Sequence, residues 1–186
     1  MATHDVKLGV GLETGMFFHA PAGTSLPAYP LEPLSSEWKE VGNVSADGIS
    51  LTFDRSVEDL KNWAKTVKRS IMTEHAESVS VTIMDTTQEV LETILGEGST
   101  TVTAPTAAHG TVVTASLSKG ELPPEEAYLF LMKDDDDVIA IGCTKGQITE
   151  MAEVTFSPEA AINWNPTIKG LDDGWQILLD DGQAES

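Results

Sequence analysis

Two segments of this chain alternate strictly between apolar and polar residues, and this period of two constrains the fold more than any other feature. Residues 49–54 read Ile-Ser-Leu-Thr-Phe-Asp, and residues 78–83 read Ser-Val-Ser-Val-Thr-Ile. Successive side chains of an extended strand point to opposite faces, so each segment predicts a half-buried β-strand. The pair Asp47-Gly48, directly before the first segment, is typical of a turn.

Further strands and one helix follow from the rest of the chain. Strand-like runs occur at 128–133, 138–143, 148–156 and 175–179, and residues 99–118 are rich in Thr, Ser, Ala and Val, which suit strands and their loops. A helix is predicted over 86–95, because Thr86 and Glu89 have the spacing of a capping box and Gly96 stands where a helix ends. Many strands with one helix predict a mainly β fold, a two-sheet β-sandwich or barrel with one short flanking α-helix.

Residues 55–76 leave two interpretations open. They could form an amphipathic helix or a long, partly extended strand-to-strand connection. We favour the connection, because the cleaner helix signal follows soon after, at 86–95.

The first 48 residues are rich in turn-forming glycine and proline, which leaves little room for a long helix and predicts an extended arm. The arm also carries apolar residues that a disordered tail would not need. We therefore expect a single domain, 1–186, with an arm and leading loops at 1–48, a β core at 49–181 that contains the helix, and a tail at 182–186.

The charge of the chain argues against a surface that grips nucleic acid. Thirty acidic residues against eleven basic ones give a formal net charge of −19, which repels phosphate. Five of the basic residues nevertheless cluster around Trp63: Arg55, Lys61, Lys65, Lys68 and Arg69. We interpret them as a basic segment that docks on the acidic surface of another copy, with a solvated loop and a nucleic-acid contact as the alternatives.

No arrangement of residues predicts catalysis, so we expect a non-enzymatic protein without cofactor or metal. Cys143 lies in an apolar run where a buried thiol is ordinary, and the histidines at 4, 19, 75 and 109 give no reason to assign a base. The acidic run Asp134–Asp137 lacks the ligand pattern of a calcium loop and favours a solvated hairpin tip. No apolar stretch is long enough to predict a membrane span, and the first ten residues lack the pattern of a secretion signal.

The order of features across residues 23–96 resembles the major tail proteins, or tail tube proteins, of long-tailed bacteriophages. The resemblance begins with Gly23-Thr24-Ser25-Leu26-Pro27 and continues through Trp38, Val41-Gly42 and Ser45-Ala46-Asp47-Gly48-Ile49. A connection with Trp63, Lys68 and Arg69 follows, and then a strand, a polar step and a short helix between Val79 and Gly96. Residues 128–181 resemble the family more loosely.

The resemblance implies a structural virion protein that self-assembles into stacked, hexameric rings, the tail tube, through which DNA leaves the capsid without specific binding. It also implies other tail proteins as partners, such as the tape measure and the terminator, assembly in the host cytoplasm and no membrane partner. The arm and the connection would contact neighbouring subunits. The residues expected there are Phe17, Phe18, Leu26, Tyr29, Leu31, Arg55, Lys61, Trp63, Lys65, Lys68 and Arg69.

Two further expectations can be checked. Because the arm has no obvious place in its own core, deletion of residues 1–30 is expected to leave a folded subunit that does not assemble. The alternative to assembly is a monomeric β-sandwich for adhesion or carbohydrate binding, with tryptophans 38, 63, 164 and 175 as a sugar-stacking platform.

Overall fold

The computed structural model describes residues 7–12, 16–117 and 122–181. Strands account for 53% of the described residues and helix for 5%, in two sheets that do not close into a barrel. The predicted mainly β fold with two sheets and one short helix is therefore confirmed, in its open form. The predicted tail at 182–186 and residues 1–6 and 13–15 of the arm lie outside the described residues.

A nine-stranded sheet forms most of the molecule, and a two-stranded sheet stands apart from it. The strands of the large sheet are β1 (Val10–Gly11), β2 (Phe17–Pro21), β3 (Lys39–Glu40), β4 (Val44–Lys61), β5 (Val67–Ile83), β8 (Glu126–Asp134), β9 (Asp137–Met151), β10 (Pro166–Gly170) and β11 (Gln176–Asp180). The small sheet pairs β6 (Thr100–Thr103) with β7 (Val112–Ala115), and the helix α1 spans Gln88–Leu95.

The main path through the large sheet runs β3-β2-β8-β9-β10-β5-β4. Strand β9 is long enough to pair with two further strands. Its first part pairs with β11, and its second part pairs with β10. Strands β8 and β9 form a hairpin whose tip joins Asp134 to Asp137, as the acidic run predicts. The predicted strand at 148–156 is instead the end of β9, and β10 was not predicted.

Strand β8 lies at the centre of the fold, because its alternate residues belong to two separate apolar clusters. Tyr128 and Phe130 belong to the larger cluster, which also contains Val79 and Ile168. Ala127, Leu129 and Leu131 belong to the smaller one. Because side chains alternate across a strand, these clusters lie on opposite faces of β8, and both faces need cover.

The arm provides the cover for the smaller cluster, which corrects the expectation that it has no place in its own core. Phe18, Leu26, Leu34 and Trp38 pack against this cluster. The backbone N–H of Gly23 donates to the carbonyl of Thr144 at 2.8 Å, which ties the arm to β9. Strand β2 is itself part of the sheet and pairs with β8. The part of the arm from Phe17 to Trp38 is therefore a structural part of this subunit.

Residues 55–76 are neither a helix nor a loop, and the interpretation as a partly extended connection needs correction. They form the outer halves of β4 and β5, which pair as one antiparallel hairpin from Val44↔Ile83 to Lys61↔Val67. The predicted turn at Asp47-Gly48 is an irregularity within β4, where the register shifts between Val44 and Ile49 and Gly48 takes a φ of 71°. A positive φ of this size favours glycine.

Helix α1 starts two residues later than predicted. Thr87 is the N-cap, and its side chain accepts a hydrogen bond from the backbone N–H of Val90. Thr86, the predicted cap, instead accepts from the indole N–H of Trp164 at 3.1 Å. Gly96 ends the helix with a φ of 94°, and its N–H donates to the carbonyl of Glu92. The predicted helix and its terminating glycine are thus confirmed, whereas the capping box is wrong.

His19 fastens the helix to the sheet. Its Nδ1 lies 2.9 Å from Glu126 at the start of β8, and its Nε2 lies 2.8 Å from Glu89 in the first turn of α1. Burial lowers the pKa of His19, but the hydrogen bonds and charges of Glu126 and Glu89 outweigh burial and raise the pKa above its ordinary value. We call this pair of hydrogen bonds from His19 to Glu126 and Glu89 the His19 clasp. Both ring nitrogens can donate at once only in the charged imidazolium, so the clasp requires a protonated ring.

We expect this clasp to make stability depend on pH. Below the ordinary value of 6.5, His19 is charged in both folded and unfolded chains, and its contribution is fully present. As the pH rises through the raised pKa, the folded protein loses the proton and one hydrogen bond, and the contribution is lost. Urea unfolding between about pH 6 and 9 should show the free energy of unfolding falling more steeply for the wild type than for His19→Gln.

The other charged groups of the cavity that holds this ring remain in both proteins, so the difference between the two profiles isolates His19. They are Glu37, Lys39, Glu92, Glu97 and Glu125, with Glu89 and Glu126 as its hydrogen-bond partners. Parallel profiles for the two proteins would show that the clasp does not depend on protonation.

Candidate assembly surfaces

The outer part of the β4–β5 hairpin projects beyond the rest of the sheet. Strand β10 pairs with β5 only from Ser78 to Ser80. Beyond that point β4 and β5 pair with each other alone, and every residue from 52 to 75 is exposed. We call residues 52–75 the projecting hairpin. Its two strand segments extend for roughly 30 Å at the usual rise per residue of a strand.

One face of the projecting hairpin carries three exposed apolar side chains, with the Arg55↔His75 pair between them. Along β4, Phe53 and Val57 point to the same side as Ile49 and Leu51, which pack against the core. Met72 is paired directly with Val57 and shares its face. Phe53, Val57 and Met72 are between 52% and 61% exposed. The core-facing side of the sheet thus continues outward without cover, and we call Phe53, Val57 and Met72 on it the apolar strip, although Arg55 and His75 lie between them. A two-stranded ribbon alone is only marginally stable in water.

The tip of the projecting hairpin, residues 61–69, is basic and presents Trp63 to solvent. It contains Lys61, Lys65, Lys68 and Arg69 and no acidic residue. The turn is internally bonded: the side chain of Asn62 accepts from the N–H of Thr66 at 2.9 Å, and its carbonyl accepts from the N–H of Lys65 at 2.8 Å. Trp63 is fully exposed. No ion pair to these four basic side chains is found within the described part of the chain.

The structure separates the predicted contact residues into three groups. Arg55, Lys61, Trp63, Lys65, Lys68 and Arg69 all lie exposed on the projecting hairpin, with the guanidinium of Arg55 5.9 Å from the centre of the Phe53 ring. In the arm, Tyr29 and Leu31 are exposed, whereas Phe18 and Leu26 are half-buried against the smaller cluster. Phe17 is 0% exposed in the larger cluster and is withdrawn from the contact set, because its side chain is already packed in its own subunit.

Sequence reasoning missed the apolar strip. The alternation that includes Phe53 predicts a buried side chain, and nothing in the sequence shows that the sheet beneath it ends at β10. Val57 and Met72 fall in the segment that the sequence predicts as a connection. The alternation itself stops at Phe53, because residues 55–60 read Arg-Ser-Val-Glu-Asp-Leu, so the sequence carries no regular signal for the strip.

The chemistry of the described residues offers no activated nucleophile. Cys143 is buried, and burial raises the pKa of its thiol to about 12. The two ring nitrogens of His19 are both engaged by carboxylates, so neither is free to activate a nucleophile. Within residues 7–12, 16–117 and 122–181, no group of three or more His, Cys, Asp or Glu side chains is placed to hold a metal ion.

The tryptophans do not form a shared sugar-stacking platform. Trp38, Trp164 and Trp175 are each at most 9% exposed and belong to the apolar clusters, which leaves Trp63 as the one exposed indole of the four. This arrangement counts against the carbohydrate-binding alternative. In the part of the chain that the structure describes, no helix has the length and apolar character of a membrane crossing.

Comparisons with known proteins give a family and several solved structures. Residues 2–178 match the family described as phage tail tube protein. Among the solved structures that the chain resembles is the tube-terminating cap of the anti-feeding prophage, determined by cryo-EM, which is 11% identical and aligns over 95% of this chain and 98% of the other with a TM-score of 0.43. No curated protein matches the chain.

Proposed function

This chain belongs to the phage tail tube protein family, as a structural component of a virion tail, and we propose that it assembles into stacked hexameric rings through which DNA is ejected. The observation that carries the proposal is the projecting hairpin. Exposed apolar residues grouped on one face, as Phe53, Val57 and Met72 are here, are typical of a protein contact, and family membership makes another copy of the chain the natural partner.

Charge supports self-assembly through the same hairpin. Four of the eleven basic residues lie at its tip, on a chain with a net charge of −19. A basic tip that meets the acidic body of a neighbour is attractive, whereas most other contacts between copies oppose like charges. Tyr29 and Leu31 of the arm, both exposed, are proposed as a second set of contacts.

The acidic balance also suits a conduit for DNA. Each Lys or Arg contact to phosphate releases counterions and strengthens binding, so a lumen poor in basic residues lets the polyanion slide. Six copies at −19 each would gather roughly a hundred excess negative charges, which salt and the basic hairpin tips must offset. The role is mechanical and non-enzymatic, with the tape measure and terminator proteins as further partners and assembly in the host cytoplasm.

Negative-stain electron microscopy of the purified protein at increasing concentration tests the proposal directly. We expect rings or tubes above a threshold concentration, accompanied by a fast species in sedimentation velocity. A monodisperse monomer at all concentrations, in the presence and absence of other tail proteins, would contradict self-assembly.

A further inference from the structure

An apolar groove lies at the opposite end of the molecule from the projecting hairpin. It is bounded by α1 and the end of β9 and has a volume of about 410 Å³. We call it the α1 groove and define it by Ile94, Leu117, Leu122, Met151, Phe156 and Trp164. Leu117, Leu122 and Phe156 are between 59% and 75% exposed, so the groove is open to solvent and uncovered by the described residues.

The charged side chains at and beside the α1 groove are acidic in the parts of α1 and β9 that form it. Glu150 lines it, and Glu153 and Glu159 lie exposed on the segment that contributes Val154 and Phe156. Helix α1 and residues 146–165 contain no lysine or arginine. An apolar groove with an acidic rim fits an aromatic side chain flanked by basic residues.

The projecting hairpin carries such a group at its tip. Trp63 is fully exposed, and Lys61 and Lys65 lie two residues to either side of it. Insertion of the indole into the groove would bury on the order of 200 Å² of apolar surface. The same movement would bring the two ammonium groups towards Glu150.

The tip cannot reach the groove of its own chain. Trp164, in the wall of the groove, forms an isolated β-bridge with Ile83, the last residue of β5, whereas Val67, the first residue of β5, belongs to the tip. The sixteen residue steps between them correspond to roughly 50 Å along a strand. The tip and the groove are therefore at opposite ends of one rigid strand, and only a second copy can join them.

We propose that Trp63 of one subunit inserts into the α1 groove of the next, with Lys61 and Lys65 facing its acidic rim. This inference rests on the proposed function and specifies the surface that receives the hairpin. A contact between two different patches is heterologous, and repetition of such a contact closes a ring or extends a filament. The tip and groove of each subunit would thus provide a head-to-tail contact that repeats through the assembly.

Cysteine cross-linking between two separately purified variants tests the contact. Ala64→Cys places a thiol beside Trp63 without removing it, and Thr149→Cys places one in the wall of the groove without removing its apolar lining. Cys143 is buried and does not compete. Oxidation of the mixed assembly should yield a covalent dimer of twice the monomer mass. Gln176→Cys, exposed on β11, is the matched control and should yield none with Ala64→Cys.

The outcomes separate the inference from the function on which it rests. If the variants form tubes but Ala64→Cys does not cross-link to Thr149→Cys, or cross-links equally to Gln176→Cys, the tip docks elsewhere and the inference is overturned while tube formation stands. If Thr149→Cys is already protected from a thiol reagent in the unassembled monomer, a segment of the same chain fills the groove, which also overturns it. If the wild type forms no assembly, both proposals fail together.

Tryptophan fluorescence gives an independent readout. Because the other three tryptophans are buried, emission from exposed Trp63 should move to shorter wavelength when tubes form. Trp63→Phe should remove this shift and retain an aromatic side chain at the tip. A shift of equal size in Trp63→Phe would contradict burial of the indole on assembly.

Discussion

Replacement of Lys61, Lys65 and Lys68 with glutamate is expected to raise the concentration needed for tube formation by at least about tenfold while the subunit stays folded. The change takes the tip from four positive charges to a net charge of −2, since three of the four cations become anions. A like-charge contact at an interface costs several kcal/mol, and about 1.4 kcal/mol already corresponds to a factor of ten. The measurement is sedimentation of assembled protein across a concentration series.

Two controls separate the position of the charge from its amount. Arginine at the same three positions keeps the charge and should preserve assembly. The second control compares two double variants that add the same net negative charge, Lys61→Glu with Lys65→Glu at the tip and Lys133→Glu with Lys169→Glu at exposed positions on the sheet. The double variant on the sheet should raise the concentration needed for tube formation by less. If tubes form as readily with the triple glutamate variant as without it, electrostatic docking of the hairpin is wrong.

The subunit fold should tolerate these changes because the tip makes no ion pair within the described residues and every residue there is exposed. Substitutions at such positions usually change the free energy of unfolding by less than about 0.5 kcal/mol. Circular dichroism and urea unfolding of the variants should therefore match the wild type.

Phe17→Ala is expected to destabilise the subunit by about 3–5 kcal/mol, a large part of the stability of a domain of this size. Phe17 is fully buried, and its ring stacks on Phe130 with centroids 4.4 Å apart and on Tyr128 at 6.3 Å. Its loss leaves a cavity on one face of β8, where the surrounding strands are held by their pairing and cannot close the space. Urea unfolding monitored by circular dichroism gives the change in free energy.

Phe18→Ala is the matched control, because it removes the same atoms one residue along the chain from a half-buried position, and it should cost less. Equal and small effects of both substitutions would mean that β2 contributes little to the core. By the same reasoning, deletion of residues 1–30 removes β2 and exposes both clusters beside β8, so we now expect an unfolded product in place of the folded, assembly-deficient one that the sequence suggested.

The neighbours Phe17 and Phe18 show where sequence reasoning reaches its limit. Both are apolar residues in a glycine-rich arm, and both were expected at a subunit contact. In the structure, the register of β2 against β8 pairs Phe17 with Phe130 and places Phe17 in the larger cluster, while Phe18 faces the smaller one. The distinction depends on a strand more than 100 residues away, which leaves no local pattern in the arm.

In the projecting hairpin the sequence fails in the opposite way, because it predicts burial for a residue that the structure exposes. The alternation at 49–54 predicts one buried face, and Ile49 and Leu51 do pack against the core. Phe53 continues the pattern and is exposed, because the neighbouring strand β10 ends before reaching it. The candidate surface could be predicted in part, through the basic residues around Trp63, whereas its apolar strip and the α1 groove could not.

The sequence by itself determined the local conformations: strands where apolar and polar residues alternate, one helix before Gly96, and a turn within the acidic run at 134–137. These depend on the stereochemistry of neighbouring residues and are encoded locally. The tertiary structure alone decided which apolar side chains are covered, how His19 meets glutamates 70 and 107 residues away, and that Trp63 and the α1 groove lie at opposite ends of β5. Burial is a property of strands that pair across the whole chain, and it is settled only when the sheet has formed.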